Sequence, residues 1–360
     1  MVSYPKDWEK TQLIKILSIK KGKQKKSNEI SSWAKYPHIN GGIEESGYTF
    51  EWNTHPDTIT ISEGGNSCGF VNFQKRKFWA GGHCYVVLPD NRFVDTEFLY
   101  YLLKSHQNNL MSLRVGSGLP NIQSKSLLEY EVNLTHNKME QKAIAETLKT
   151  FDRHIENLER LIEKKKMIRD GAVEDLMTRK TRLDRFEDEW EEKTVGDILK
   201  IFHGRSQHLV ESPTGKYPIL GTGGIIGKSV DYLCDWECVC IGRKGTIDKP
   251  IYVDYPFWSI DTLYYSKSLN ENDAKFQYYL FTTINWLGYA ESSGRPSLSK
   301  DEIESIVIKT PSDIKEQQAI ADILTAMDKE IADLEEEKKK YVALKAGAMD
   351  DLLTGKIRLV

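Results

Sequence analysis

Residues 140–166 read EQKAIAETLKTFDRHIENLERLIEKKK, and residues 171–183 close the stretch with GAVEDLMTRKTRL. The chain then says it again: EQQAIADILTAMDKEIADLEEEKKK over 316–340 and GAMDDLLTGKIRL over 347–359. Glu140 aligns with Glu316 and Leu183 with Leu359, an offset of 176 residues with no insertion. A period this long, seen twice, marks a duplicated domain pair rather than a solenoid of short repeats.

The spacing of apolar residues makes both stretches helices. Ile144, Leu148, Phe151, Ile155, Leu158 and Ile162 step by four and three, and Ile320, Leu324, Met327, Ile331 and Leu334 repeat the phase. Glu, Lys, Asp and Arg fill most positions between, so the stripe is a narrow seam of period 3.5. Such a seam needs a partner, and the nearest one is the other copy. An amphipathic helix packed on its own domain is the alternative. About forty unbroken residues, roughly 60 Å of helix, favour a coiled-coil spacer. Connectivity makes the pair antiparallel, with a pseudo-twofold axis and one globular unit at each end. Gly171 and Gly347 interrupt otherwise helical sequence at about 1 kcal/mol each relative to Ala, which predicts a close helix crossing or a bend. Lys180, Arg182, Lys356 and Arg358 place cations where a helix C-terminus favours them.

The remaining sequence reads as two versions of one globular unit, giving an α+β fold with four segments: 1–137, a helix over 138–183, 184–313, and a helix over 314–360. Short apolar runs bounded by Gly, Asn and Pro predict strands at 58–61, 69–73, 83–88 and 130–134. A helix is expected over 96–105. The second unit repeats the order. Trp190 answers Trp8, Tyr217-Pro218 answers Tyr36-Pro37, and Phe257-Trp258 answers Phe78-Trp79. Ser293-Gly294-Arg295-Pro296 answers Ser117-Gly118-Leu119-Pro120. Framework residues recur while the loops differ, so one fold carries two different surfaces.

A net charge of −3 excludes a uniformly basic coat and confines any nucleic-acid surface to patches. No run of apolar residues is long enough to span a membrane, and Met1-Val2-Ser3 opens no secretory signal. The five cysteines fit neither a zinc ribbon nor a CxxC pair, and Cys238 and Cys240 suit one buried face of a strand. A reduced, cytoplasmic protein is expected. The glycine-rich stretch 221–229 ends in Gly-Lys-Ser, but its first glycine stands one residue too early for a phosphate-binding loop, and no helix pattern follows. No amino-methyltransferase tetrapeptide, nuclease carboxylate pair or metal-ligand cluster is evident, and His83, His203 and His208 read as core or surface residues. The expectation is a binding subunit without catalytic residues.

Cations mixed with aromatics and glycines suit phosphate contacts and base-edge readout. Lys20, Lys21, Lys23, Lys25 and Lys26 form one such run. Lys75, Arg76 and Lys77 lie between Phe73 and Phe78-Trp79. Arg205, Lys228, Arg243, Lys244 and Arg295 occupy loops of the second unit. Each could be a solvated loop charge; as a set on equivalent loops they form the candidate DNA face.

The duplicated units, the Glu-Gln-x-Ala-Ile-Ala openings at 140 and 316, the Gly-Ala-x-x-Asp-Leu endings and the Gly-x-Pro turns at 118 and 294 resemble the specificity subunit of Type I restriction–modification enzymes. The resemblance covers essentially the whole chain. It implies two target-recognition domains, each reading half of a bipartite, asymmetric site in double-stranded DNA, with half-site centres about one duplex turn, ~34 Å, apart. It implies a helical scaffold for two modification subunits and for restriction subunits. S-adenosylmethionine and ATP would be bound by those partners, with no cofactor or metal in this chain. An assembly scaffold whose recognition domains no longer read DNA is the competing expectation.

Overall fold

The computed structural model describes residues 4–116, 118–290 and 294–359. Met1, Val2, Ser3, Ser117 and Ser293, which figure in the sequence reading, lie outside the described residues. Two compact units are present: residues 1–159 with 336–360, and residues 160–335.

In unit one, β1 (Trp8–Gln12) and β9 (Glu131–Thr135) form an antiparallel pair that joins the start of the domain to its end. Between them lie β2 (Leu17–Lys21), β3 (Tyr36–Ile39), β4 (Tyr48–Thr49), β5 (Thr58–Ser62), β6 (Val71–Gln74), β7 (Trp79–Ala80) and β8 (Cys84–Pro89). Three short helices follow, α1 (Thr96–Ser105), α2 (Gln107–Ser112) and α3 (Ser124–Glu129). One sheet has the order β2-β8-β5-β6, and a second has the order β4-β3-β7 with β3 and β7 parallel. The side chain of Asp95 accepts from the amides of Glu97 and Phe98 and so starts α1. Phe98, Leu99, Leu102 and Leu103 then bury that helix against Ile59, Ile61 and Val71.

Unit two runs β10 (Glu191–Thr194), α4 aside, through α5 (Val195–Ile198), β11 (Leu199–His203), β12 (Tyr217–Gly221), β13 (Gly224–Ser229), β14 (Cys238–Gly242), β15 (Ile251–Val253), β16 (Trp258–Ser259), β17 (Leu263–Ser268), α6 (Ala274–Thr282), α7 (Lys300–Ser305) and β18 (Val307–Thr310), where α4 is the long helix Lys138–Met177. Its sheets, β11-β17-β14-β15, β13-β12-β16 and β10-β18, reproduce the strand orders of unit one. The glycine-rich stretch 221–229 turns from β12 into β13, with Gly221 facing Gly224, and forms no phosphate-binding loop. Strand β14 is buried on both faces. Cys238 and Cys240 pack with Cys234 and Phe257, while Val239 and Ile241 face the larger core. All five cysteines are free and buried.

The second long helix, α8, spans Ile314–Leu352; α4 and α8 hold 40 and 39 residues. Asn137 caps α4 through the amides of Met139 and Glu140, and Asp313, 176 positions on, bonds the amide of Lys315. Both helices stop short of the expected ends at 183 and 360. The reason is a left-handed residue, Arg179 at φ 60° and its counterpart Gly355 at φ 70°. The amide of Thr181 reaches back to the carbonyl of Asp175, and that of Ile357 to Asp351, so the chain after the left-handed residue folds back on the last helical turn at each end. Arg182 and Arg358 therefore lie beyond the helices, and ion pairs rather than a helix dipole hold them. Arg182 forks onto Glu316 with both N–O distances at 3.0 Å. Arg358 grips Glu140 and Asp7.

Within unit one, Ile144 and Leu148 are fully buried together with Leu352 and Leu353, in the same core as the β2-β8 sheet. In unit two, Ile320 and Leu324 share a core with Val173, Leu176 and Met177. The opening turns of each helix thus pack on a globular domain as well as on the other helix. Leu158, Ile162 and Ile331 are buried, and Phe151, Ile155, Met327 and Leu334 are half-buried. Ion pairs run antiparallel. Asp152 meets Lys345 and Glu159 meets Lys338 in unit one; Lys165 meets Glu330 and Arg169 meets Asp328 in unit two. The expected close crossing at Gly171 and Gly347 is absent. Both helices run through their glycine, and a Cβ at either would meet nothing within 4 Å.

Candidate nucleic-acid interface

Within each unit, corresponding loops meet at an equivalent station, at the ends of the central strands and beside the Gly-x-Pro turn. The backbone there is the same in both. Lys21 faces Tyr85 across β2-β8, and His203 faces Tyr264 across β11-β17. The amide of Ile122 donates to Glu63 at 2.9 Å, and that of Leu298 to Arg243 at 3.0 Å. Gly65 donates to Pro120 at 2.9 Å, and Gly245 to Pro296 at 3.1 Å. The tyrosine hydroxyls donate to the carbonyls of Ile122 and Leu298 at 3.0 and 3.2 Å. Lys21, Glu63, Gly64 and Leu119 therefore stand where the second unit has His203, Arg243, Lys244 and Arg295.

In unit two this station is an open depression of about 830 Å³ lined by His203, Arg243, Lys244, Tyr264, Arg295 and Asp301. Arg243 donates to the carbonyl of Asp261 at 3.2 Å. Among the described residues no salt bridge neutralises Arg243, Lys244 or Arg295. The structure thus brings together three of the five cations picked out in this unit. Arg205 and Lys228 are exposed outside the depression, Lys228 on β13.

In unit one the depression is about 550 Å³ and is lined by Lys21, Asn40, Glu63, His83, Leu119 and Asn121. One oxygen of the buried Glu63 carboxylate takes the Lys21 ammonium at 2.6 Å and the Tyr85 hydroxyl at 3.1 Å. The other has no hydrogen-bond partner among the described residues, with His83 Nδ1 at 3.8 Å. Burial and the Glu63 charge push the Tyr85 phenol up to about 12. Lys20, Lys21 and Lys23 line a neighbouring hollow of about 310 Å³ with Asn53 and His55.

Several cations chosen from sequence lie away from the depression, most of them with partners of their own. Lys25 is held by Glu29 at 3.0 Å and Glu51 at 3.4 Å and sits 4.1 Å over the Trp79 ring. Lys26 is exposed beside a short turn. Lys75 pairs with Glu156 of α4 at 2.6 Å, Arg76 lies 3.7 Å from Glu45, and Lys77 covers Trp52 at 4.2 Å. These three do not join the depression. Lys23 and Arg205 do share a station, because their amides bond Ala80 and Ser259 at 2.8 Å and their carbonyls accept from Trp79 and Trp258. Sequence reasoning passed over Glu63, Asn40, Asn121, His83, Leu119 and His203. The signal was there in the left-handed glycines Gly65 and Gly245, whose neighbours are held at the rim.

A model of the Type I restriction modification DNA specificity domain matches residues 5–165 and 187–344. A putative type I specificity subunit of Mycoplasma genitalium is 34% identical over 227 residues, 60% of this chain and 58% of that one. The match therefore spans less than two thirds of that relative. A Type I restriction enzyme specificity subunit of Methanocaldococcus jannaschii is 23% identical over 99% of this chain and 94% of its own. The crystal structure of a Type I restriction–modification system S subunit from M. genitalium superposes with a TM-score of 0.76 at 27% identity, covering 96% of each chain. No described helix is long and apolar enough to cross a membrane. With the duplicated framework and the matched residues in place, the chain belongs to the Type I restriction modification DNA specificity domain family.

Proposed function

We propose that this chain is the DNA-reading subunit of a Type I restriction–modification complex, each unit reading one half of a bipartite, asymmetric site. The observation that carries the reading is the shared station. One backbone frame presents Glu63, Gly64 and Leu119 in one unit, and Arg243, Lys244 and Arg295 in the other. Identical readers would demand identical half-sites; these are unlike. The paired long helices act as the spacer that sets the gap between half-sites, and as the scaffold for two modification subunits and for restriction subunits. Methyl transfer from S-adenosylmethionine and ATP-driven steps belong to those partners, and this chain supplies recognition alone. A cytoplasmic location follows from that work.

The test is enrichment of duplex libraries by this chain mixed with a modification subunit, over a range of salt. A reader enriches a split motif with a fixed gap; a scaffold that does not read DNA enriches none. Arg243→Ala with Lys244→Ala should weaken binding and flatten the salt dependence by about one to two phosphate contacts. Unchanged affinity and unchanged preference would remove this loop from the DNA face.

A further inference from the structure

The Gly-x-Pro turn offers a sharper assignment, which rests on the reading just given. We propose that its central residue sets the base preference of each half-site at one position: Arg295 takes a guanine and Leu119 takes the methyl group of a thymine.

The turn is anchored on its C-terminal side. Proline follows the central residue in both units, and the next residues but one, Ile122 and Leu298, are buried anchors. Backbone bonds from Gly65 and Gly245 fix the proline carbonyls. Isolated bridges pair Gly64 with Asn121 and Lys244 with Ser297. The central side chain is left outside this frame: Leu119 is 88% exposed, and Arg295 is exposed as well. A single exposed leucine is ordinary on a protein surface. What makes this one informative is its counterpart, because the same mount carries an arginine in the other unit, beside two further cations.

Chemistry then separates the two. A guanidinium can donate two parallel hydrogen bonds to the O6 and N7 of guanine, while an apolar side chain in the major groove meets the thymine methyl. Gly245 prepares the arginine. Its φ of 94° suits glycine, and a Cβ there would stand 2.8 Å from the Arg295 terminal nitrogen, so the guanidinium lies over bare backbone. Gly65 has the same left-handed turn, but its face is empty within 4 Å. The frame is thus common to both units and the reading side chain is exchangeable.

The experiment is motif enrichment by the complex with its modification subunit, using the parent chain, Arg295→Leu, Arg295→Lys and Leu119→Ala. Circular dichroism of each variant checks that these surface changes leave the fold intact. Arg295→Leu should lose discrimination for guanine at one position of one half-site, by on the order of 10- to 100-fold, with the other half-site untouched. Arg295→Lys keeps the charge, so affinity should largely survive while discrimination falls. Leu119→Ala should relax a thymine in the opposite half-site. If the parent enriches a motif but Arg295→Leu weakens every sequence alike, the arginine is a phosphate contact and the assignment is overturned while the reader stands. A parent that enriches no motif overturns the reader itself and the assignment with it.

Discussion

Replacing Arg182 by leucine should strand the buried Glu316 carboxylate and destabilise unit two by about 3 kcal/mol. Glu316 is 1% exposed, and its carboxylate takes both prongs of the Arg182 guanidinium at 3.0 Å and the Trp190 indole at 3.1 Å. Removing the guanidinium leaves a buried charge with the indole as its remaining side-chain partner. Breaking a fully buried pair costs roughly 3–5 kcal/mol. The Arg182 side chain is 21% exposed, so water retains some access and the lower figure applies. A surface pair sets the contrast. Lys329 and Asp333 are 74% and 62% exposed, and Lys329→Ala should leave the unfolding midpoint essentially unchanged. Urea unfolding followed by tryptophan fluorescence reads the change, since Trp190 sits on the clamp. The double replacement Arg182→Leu with Glu316→Leu should recover much of the loss, because no charge is then stranded. An Arg182→Leu cost as small as the surface pair's, or a double variant worse than either single one, would refute the claim that this repeated Glu–Arg pair locks helix to domain.

Two further outcomes are expected. Gly171→Ala and Gly347→Ala should each raise stability by about 1 kcal/mol in thermal or urea unfolding, because a methyl group at either site meets nothing within 4 Å; loss of stability in the isolated chain would mean that the crossing expected from sequence exists after all. His38 is fully buried, neither ring nitrogen has a partner among the described residues, and burial together with the Lys25 charge lowers its pKa below the ordinary 6.5. The unfolded chain therefore takes up the proton first, and stability falls as pH drops below about 6.5 toward the folded pKa. The corresponding residue in unit two is Ile219, which pairs with Trp258 as His38 pairs with Trp79. His38→Ile should flatten the decline between pH 7 and 5 in a stability-against-pH series; an unchanged slope would assign that decline to other groups.

The long helices were legible because their signal is periodic and repeated. Their starts at Lys138 and Ile314 match the segments read from sequence, and the structure shows Asn137 and Asp313 capping them. Their ends were not legible, because Arg179 takes the left-handed conformation that only its counterpart Gly355 advertises. The family motifs were visible as letters without their reason. Glu140 and Glu316 look like surface acids on a charged helix, yet both are buried, each meeting an arginine far along the chain. Long-range pairing of that kind leaves no local trace.

The candidate site divides along the same line. A run of lysines declares charge but not neighbours, so Lys25 and Lys75 stood out with Arg243 although carboxylates hold them. Conversely, Glu63 and Leu119 carried no basic signal and were passed over. They matter because β5 and the Gly-x-Pro turn carry them to the station that Arg243 and Arg295 occupy in the other unit. A duplicated fold provides its own control here. Residues identical between the units, such as Tyr85 and Tyr264 or Pro120 and Pro296, hold the frame. Leu119 and Arg295 differ on that frame and stand exposed, outside its packing. Leu119 and Arg295 can therefore differ without cost to the fold, as the proposed reading of two unlike half-sites requires.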